Sequence, residues 1–441
     1  MRPYPRYKPT GLAWLPSVPE HWDVRQLKRM ARLKGGVGFP VEKQGRFNES
    51  FRFIKVNALA SQIDLSREYD TISRDDVAQL HAQVFPAGSI VFAKVGAALL
   101  LRRFEELPFD CCIDNNMMAI FDIKENPKWL RYALSRLDFN RIVNPGAVPS
   151  VNQSQVETMP LPLPPSSEQD RIVRYLDEKT AAIDELVRAK ERQIELLRER
   201  KQALVSAAVI GRDISTKCPF GRDASTMRPG CGRAMGASLP VYRLKELVRF
   251  FKGLNITKAD LIPEGANVIS YGQIHSKEND GRSLKDSFLR HTSFELTNEA
   301  ARLSFGDIVF ADTSEDQAGI GNCVLNDRHD PVWAGYHTVT ARPRNPEIAP
   351  YLTVLFQSNW WRDQLRRSSD GVKVYSVTQR SLGNTRVVLP PLPEQRRIVA
   401  HLDSVCSELD AAEAAIRKQI SLLQELRTRL VSDAVTGAVE V

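Results

Sequence analysis

No run of about 18 consecutive apolar residues occurs anywhere in this sequence, and the N-terminus MRPYPRYKPT has no apolar core of a signal peptide. A membrane-spanning helix and export are therefore not expected, and a cytoplasmic location is. Cysteine is scarce, six in 441 residues, and scattered. Cys111 and Cys112 are neighbours that cannot easily bridge each other, so no disulfide framework is implied and a reducing compartment fits. Cys218 and Cys231 are not spaced as a CxxC and no histidine stands near them, which argues against zinc.

Signatures of catalysis are missing too. There is no GxxxxGK[ST] phosphate loop, no HExxH, no GxSxG, and no GxGxxG between a strand and a helix. The Asn-Pro-Pro-aromatic tetrapeptide expected of an amino-methyltransferase is absent. Gly319-Ile320-Gly321 reads as a turn, and histidines such as His275, His291 and His337 show no ligand spacing. The chain reads as a non-enzyme without a metal site.

What the chain has is a repeat. Leu163-Pro164-Pro165, Glu168-Gln169, Arg171-Ile172-Val173, Leu176-Asp177, Leu204-Val205-Ser206 and Gly211 return as Leu389-Pro390-Pro391, Glu394-Gln395, Arg397-Ile398-Val399, Leu402-Asp403, Leu430-Val431-Ser432 and Gly437. The offset is 226 throughout, from Gln169 to Gln395, and roughly half of the aligned positions are identical. So long a period means a duplicated half-molecule rather than a solenoid.

Each copy carries a coiled-coil pattern. Apolar residues fall at Ile183, Val187, Ile194, Leu197, Leu204 and Ala208, and again at Leu409, Ile416, Ile420, Leu423, Leu430 and Ala434. Lys190, Lys201, Glu413 and Arg427 interrupt the seam. The spacing predicts a helix from Asp177 to Val209, halted upstream by Pro164-Pro165 and closed by Gly211, with Gly437 closing its partner. A single such helix reads as core or dimer seam; two copies, each after a globular block, favour an intramolecular pair used as a spacer.

Residues 1–22 read as an extended lead-in that lays Trp14 and Trp22 on a surface. The blocks that follow repeat in outline. Phe51–Val56 and Val268–Tyr271 read as strands. Ala87–Ala93 matches Gly306–Ala311 as a turn and buried strand. Trp129–Asn140 matches Tyr351–Arg366 as a helix, and Val148–Gln153 matches Val374–Gln379. Like scaffolds with unlike loops suggest two related recognition tasks. Between the halves, 212–239 is basic and glycine-rich with no apolar period, and reads as a flexible linker. The organisation expected is 1–160, 161–211, 212–239, 240–386 and 387–441. The net charge of +8 is a mild hint of a polyanionic partner.

The Leu-Pro-x-Pro-Pro, Glu-Gln, Ile-Val, Leu-Asp opening, its long helix and their recurrence resemble the specificity subunit of type I restriction–modification systems. Gly11-Leu12-Ala13-Trp14-Leu15 and Pro19-Glu20-His21-Trp22 are similar to that family's N-terminus. The resemblance spans essentially the full chain; the long basic linker departs from it. It implies an α+β fold: two pseudo-repeated mixed α/β target-recognition domains separated by two long antiparallel helices acting as a coiled-coil spacer. It also implies double-stranded DNA as the ligand, each domain reading half of a bipartite asymmetric target. Two modification (methyltransferase) subunits carrying S-adenosylmethionine would bind the helices, and restriction subunits using ATP and Mg would join them, with no cofactor in this chain.

Candidate DNA contacts are Lys94, Arg102, Arg103, Ser150, Asn152 and Gln153 in the first domain. In the second they are Ser314, Gln317, Lys373, Tyr375, Ser376, Thr378 and Gln379. Arg and Lys suit guanine edges and phosphates, Asn and Gln suit adenine edges. Glu168, Gln169, Glu394 and Gln395 are expected in loops that face the modification subunits. Two rival readings stand beside this one: a coiled-coil adaptor without DNA contact, and a DNA-modifying enzyme with an unrecognised site.

Overall fold

Residues 2–60, 63–137, 139, 142–144, 148–210, 239–368 and 375–441 are described by a computed structural model. The linker expected at 212–239 therefore lies almost wholly outside the described residues. The chain divides into two units, 1–190 with 418–441, and 191–417. Each contains one globular block and part of each long helix.

In the first unit the strands are β1 (Arg32–Gly35), β2 (Phe51–Ile54), β3 (Thr71–Ile72), β4 (Ile90–Ala93), β5 (Glu105–Glu106), β6 (Cys111–Ile113) and β7 (Met117–Phe121), of which β4 and β6 are short runs buried throughout. One sheet has the order β1-β7-β4-β5 and a second the order β3-β2-β6, with β2 and β6 parallel. α1 (Pro127–Leu134) and α2 (Gln153–Glu157) follow, and then α3 (Ser166–Val209).

The second unit repeats this plan. β8 (Val248–Lys252), β9 (Ala266–Ile269), β10 (Arg290–Thr292), β11 (Ile308–Ala311), β12 (Cys323–Leu325), β13 (Val332–Ala334) and β14 (Thr338–Pro343) give a sheet ordered β8-β14-β11-β12. A second sheet contains β10-β9-β13, and again its β9–β13 pair is parallel. α4 (Ala349–Gln357), α5 (Asn359–Ser368), α6 (Gln379–Asn384) and α7 (Leu392–Val435) complete it. The repeat extends to close backbone approaches. A Cβ on Gly36 would lie 2.2 Å from the carbonyl oxygens of Ile113 and Asp114, and one on Gly253 would lie 1.9 Å from that of Gly335. Both positions therefore require glycine.

Two expectations about helices are corrected. The first long helix begins at Ser166, not near Asp177, because the Pro164-Pro165 pair ends an extended segment and α3 starts directly after it. The single helix expected over 351–366 is two, α4 and α5, broken at Ser358, whose extended backbone (ψ +139°) cannot continue a helix. Gly437 does end α7: its φ is +72°, and Ala438 N–H returns to the Asp433 carbonyl at 2.9 Å, a Schellman closure.

Within each unit the long helices run antiparallel. In the first, Arg427 donates to Asp184 at 2.9 Å and Lys190 bonds Gln419. In the second, Arg198 pairs with Glu413 at 2.8 Å and Lys201 with Asp410 at 2.7 Å. The charged residues that broke the apolar seam are those that bridge it. Ile183 and Ile194 are buried, while Val187, Leu197, Leu204, Leu409, Ile416, Ile420, Leu423 and Leu430 are half-buried.

The lead-in is not a surface strap. Tyr7–Leu12 and Leu15–Pro19 form a hairpin, and Trp22 is fully buried in a cluster with Leu15, Val18, Ala434 and Val435. Cys111, Cys112, Cys323 and Cys406 are buried and unbridged. Burial pushes the Cys112 thiol up to about 11, so it is protonated and inert near neutral pH. Among the described residues no helix is long and apolar enough to cross a membrane.

Candidate nucleic-acid interface

The polar residues of interest sit where β4 and β7, or β11 and β14, run out. In the first unit Lys94 N–H bonds the Asn116 carbonyl at 2.9 Å, and Val151 N–H bonds the Lys94 carbonyl at 3.0 Å. In the second unit Asp312 N–H bonds the His337 carbonyl at 3.1 Å, and Val377 N–H bonds the Asp312 carbonyl at 2.7 Å. Lys94 thus corresponds to Asp312 and Asn116 to His337. The Val95–Ser150 bridge corresponds likewise to the Thr313–Ser376 pair. The backbone arrangement is held constant and the side chains change.

Ser376, Thr378 and Gln379 come together with Lys252, Asn255, Asp312, His337 and Arg380 around a cleft of about 660 Å³. A neighbouring cleft of about 720 Å³ is lined by Tyr271, His275, Lys277, Ser314, Glu315, Asn322 and His337, among others. Donors, acceptors and cations on a concave face can meet phosphates and base edges. Lys252, Asn255, His337 and Arg380 went unrecognised in the sequence. Lys252, His337 and Arg380 are single residues at or next to a strand or helix end and Asn255 lies in a loop, and no local pattern marks them.

Other candidates have structural duties. Asn152 and Thr378 are N-caps, accepting from Gln155 N–H at 2.9 Å and Ser381 N–H at 3.0 Å, with reciprocal bonds that complete capping boxes. The Asn152 carbonyl oxygen is thus spent on its own helix. Gln153 is exposed and donates to Glu157 at 2.7 Å. Arg103 donates to the Leu59 carbonyl at 3.0 Å, which draws its guanidinium toward its own domain. Arg102 is half-buried with a φ of +53°. Ser314 is buried, its hydroxyl donating to the Asp316 carbonyl at 2.7 Å. Gln317 is exposed and reaches the half-buried Tyr375 hydroxyl at 3.4 Å. Lys373 lies outside the described residues.

The Glu-Gln pairs require the clearest correction. They lie in the first turn of each helix, not in loops before it. Gln169 and Gln395 are buried, and each side-chain amide donates back to a proline carbonyl, Pro164 at 3.0 Å and Pro390 at 2.7 Å. Glutamine here ties the proline turn to the helix start. Glu168 is buried as well, bonded by the Tyr4 hydroxyl and by His21 at 2.9 Å. Burial raises its pKa, but the hydrogen bonds from Tyr4 and His21 outweigh that and hold it below the ordinary carboxylate value. Only Glu394 of the four remains half-exposed, beside Arg397 at 2.8 Å. The Leu-Asp element serves as an anchor: Asp177 accepts from Lys128 and Tyr132 at 2.8 Å each, and Asp403 pairs with Arg282.

The sequence pattern described as the type I restriction modification DNA specificity domain matches this chain twice, over residues 19–196 and 239–422. The chain is 20% identical to a protein assigned as the MjaX specificity subunit of a type I restriction enzyme of Methanocaldococcus jannaschii, covering 96% of this chain and 95% of that one. It is 19% identical to the type I restriction enzyme EcoKI specificity subunit of Escherichia coli K12, covering 95% and 89%. A solved structure from work on assembly and conformational transition of the type I R-M system shares its fold, with a TM-score of 0.67 and 17% identity over 96% of this chain and 99% of that one. The chain belongs to the type I restriction–modification DNA specificity family. Its role is that of the non-catalytic subunit that sets DNA sequence specificity.

Proposed function

We propose that this chain recognises a bipartite, asymmetric double-stranded DNA target, one half through each globular block, and scaffolds two modification subunits and the restriction subunits that join them. What carries the reading is the contrast at the strand ends. The backbone bonds at Lys94 and Asn116 recur at Asp312 and His337 with entirely different side chains. A scaffold repeated this closely with unlike groups at one place is suited to two different sequences. The candidate contacts become Lys94, Asn116, Ser150 and Gln153 for one half-site, and Lys252, Asn255, Ser376, Gln379 and Arg380 for the other.

Exposed leucines on the long helices suit the modification subunits. Leu196 and Leu422 occupy matched places in the repeat and are 63% and 53% exposed. Matched apolar surface on a repeated helix favours two copies of one partner. In such a complex S-adenosylmethionine belongs to the modification subunits, and ATP and Mg to the restriction subunits. Adenine-methylation mapping of the host genome with and without this gene tests the reading. It expects one two-part motif to lose methylation without the gene; no change in any motif contradicts it.

A further inference from the structure

We propose that His337, held against Asp312, is a specificity-determining residue for the DNA half-site read by the second unit. This rests on the DNA-recognition reading above and names where within it discrimination is made.

Four observations converge on this residue. His337 lines both clefts of the second unit, so it stands on the ridge between them. Its backbone has a φ of +53°, a left-handed conformation that costs a non-glycine residue stability and that gathers at functional sites. The side chain is 56% exposed, so core packing does not explain a histidine there. The ring is nevertheless oriented: Nδ1 lies 3.3 Å from Asp312 Oδ1, and Tyr271 and Tyr336 meet it edge-on at centroid distances of 5.4 and 6.0 Å.

An exposed ring held in a fixed pose at energetic cost is pre-organised for a ligand. With Nδ1 directed to the carboxylate, Nε2 is the ring's remaining polar atom. A single fixed polar atom beside a groove of donors and acceptors can discriminate between base edges, whereas a lysine on a flexible stem mostly meets phosphate. The first unit supports the assignment. Asn116, also exposed, takes the same backbone place beside Lys94, and asparagine is itself a reader of base edges. The two units therefore differ at the position where the targets should differ.

The test uses the full chain in complex with its modification subunits, and measures methylation rate on duplexes carrying every single-base change in the target. His337→Ala is expected to lose about tenfold or more of the discrimination at one base pair of the second unit's half-site. Other positions, and the whole of the other half-site, keep theirs. His337→Gly, which removes the left-handed strain, is expected to lose the same discrimination without lowering the melting temperature. Equal loss at every position would assign His337 to phosphate contact or to folding and overturn the proposal, as would unchanged discrimination in both variants. A wild-type complex without a two-part target would instead overturn the DNA-recognition reading itself.

Discussion

Arg427 donates to Asp184 across the two long helices at 2.9 Å, and at the matched repeat positions Lys201 donates to Asp410 at 2.7 Å. Asp184 lies 226 residues before Asp410, and Lys201 lies 226 before Arg427, so one ion pair is present twice with the roles of the helices exchanged. An antiparallel pair built from a sequence repeat lets an interaction recur in this way wherever both residues are kept. The bridges fix register more than they stabilise, since both are substantially exposed.

Arg427→Ala is accordingly expected to cost under about 1 kcal/mol, and exchanging the pair as Asp184→Arg with Arg427→Asp to recover most of it. Ile194→Ala, in the buried seam, should cost more, about 2 kcal/mol or above. Denaturant melts of the single and double variants check both. A cost for Arg427→Ala equal to that of Ile194→Ala would mean that the charges, not the apolar seam, hold the helices.

Glu168→Ala strands the Tyr4 hydroxyl in a buried site and should cost about 1–3 kcal/mol. Glu394→Ala, at the matched but half-exposed position, should stay within about 0.5 kcal/mol. The folded pKa of Glu168 is depressed from 4.5, so the stability this carboxylate adds is complete at neutral pH. It is lost as pH falls from about 4.5 through the folded value. Between about pH 6 and pH 3 the wild type should therefore lose more stability than Glu168→Ala does, and parallel curves would contradict the assignment.

The capping of α2 separates structure from recognition at Asn152. Asn152→Ala should cost about 1 kcal/mol, and Asn152→Ser, which can still cap, much less. Base discrimination by the Ser variant should match the wild type. A changed half-site in that folded variant would show that Asn152 also touches bases.

Leu196→Glu and Leu422→Glu alter exposed positions and should leave melting temperatures within a degree or two. If these leucines seat modification subunits, native mass spectrometry should count one subunit on each single variant and none on the double. Two subunits on the double variant would remove them from the interface.

Much of this was legible in the sequence because it repeats. A gap-free match at a constant offset announces a duplicated half-molecule, and the apolar seam through Ile183 and Ile194 was visible as spacing. The role of Glu168 was not, because its burial depends on Tyr4 and His21, which lie more than 140 residues away in the chain. Polarity and an expected loop suggested exposure there, and tertiary packing reversed it. Asn152 with Gln155 carries a capping pattern in sequence, whereas Thr378 with Ser381 lacks the Glu or Gln of that pattern and shows its capping box only in the structure. His337 and Asn116 could be equated only through the strands and backbone hydrogen bonds around them, since their three-residue loops, 114–116 and 335–337, have no residue in common.

The most direct measurement is methylation mapping with an exchanged block. Residues 239–386 are replaced by the corresponding block of another specificity subunit, and methylated adenines are mapped in cells supplying the modification subunits. The account predicts a two-part motif in which one half is new and the other is that of the parent chain. Change in both halves, or in neither, would contradict two units that read DNA independently.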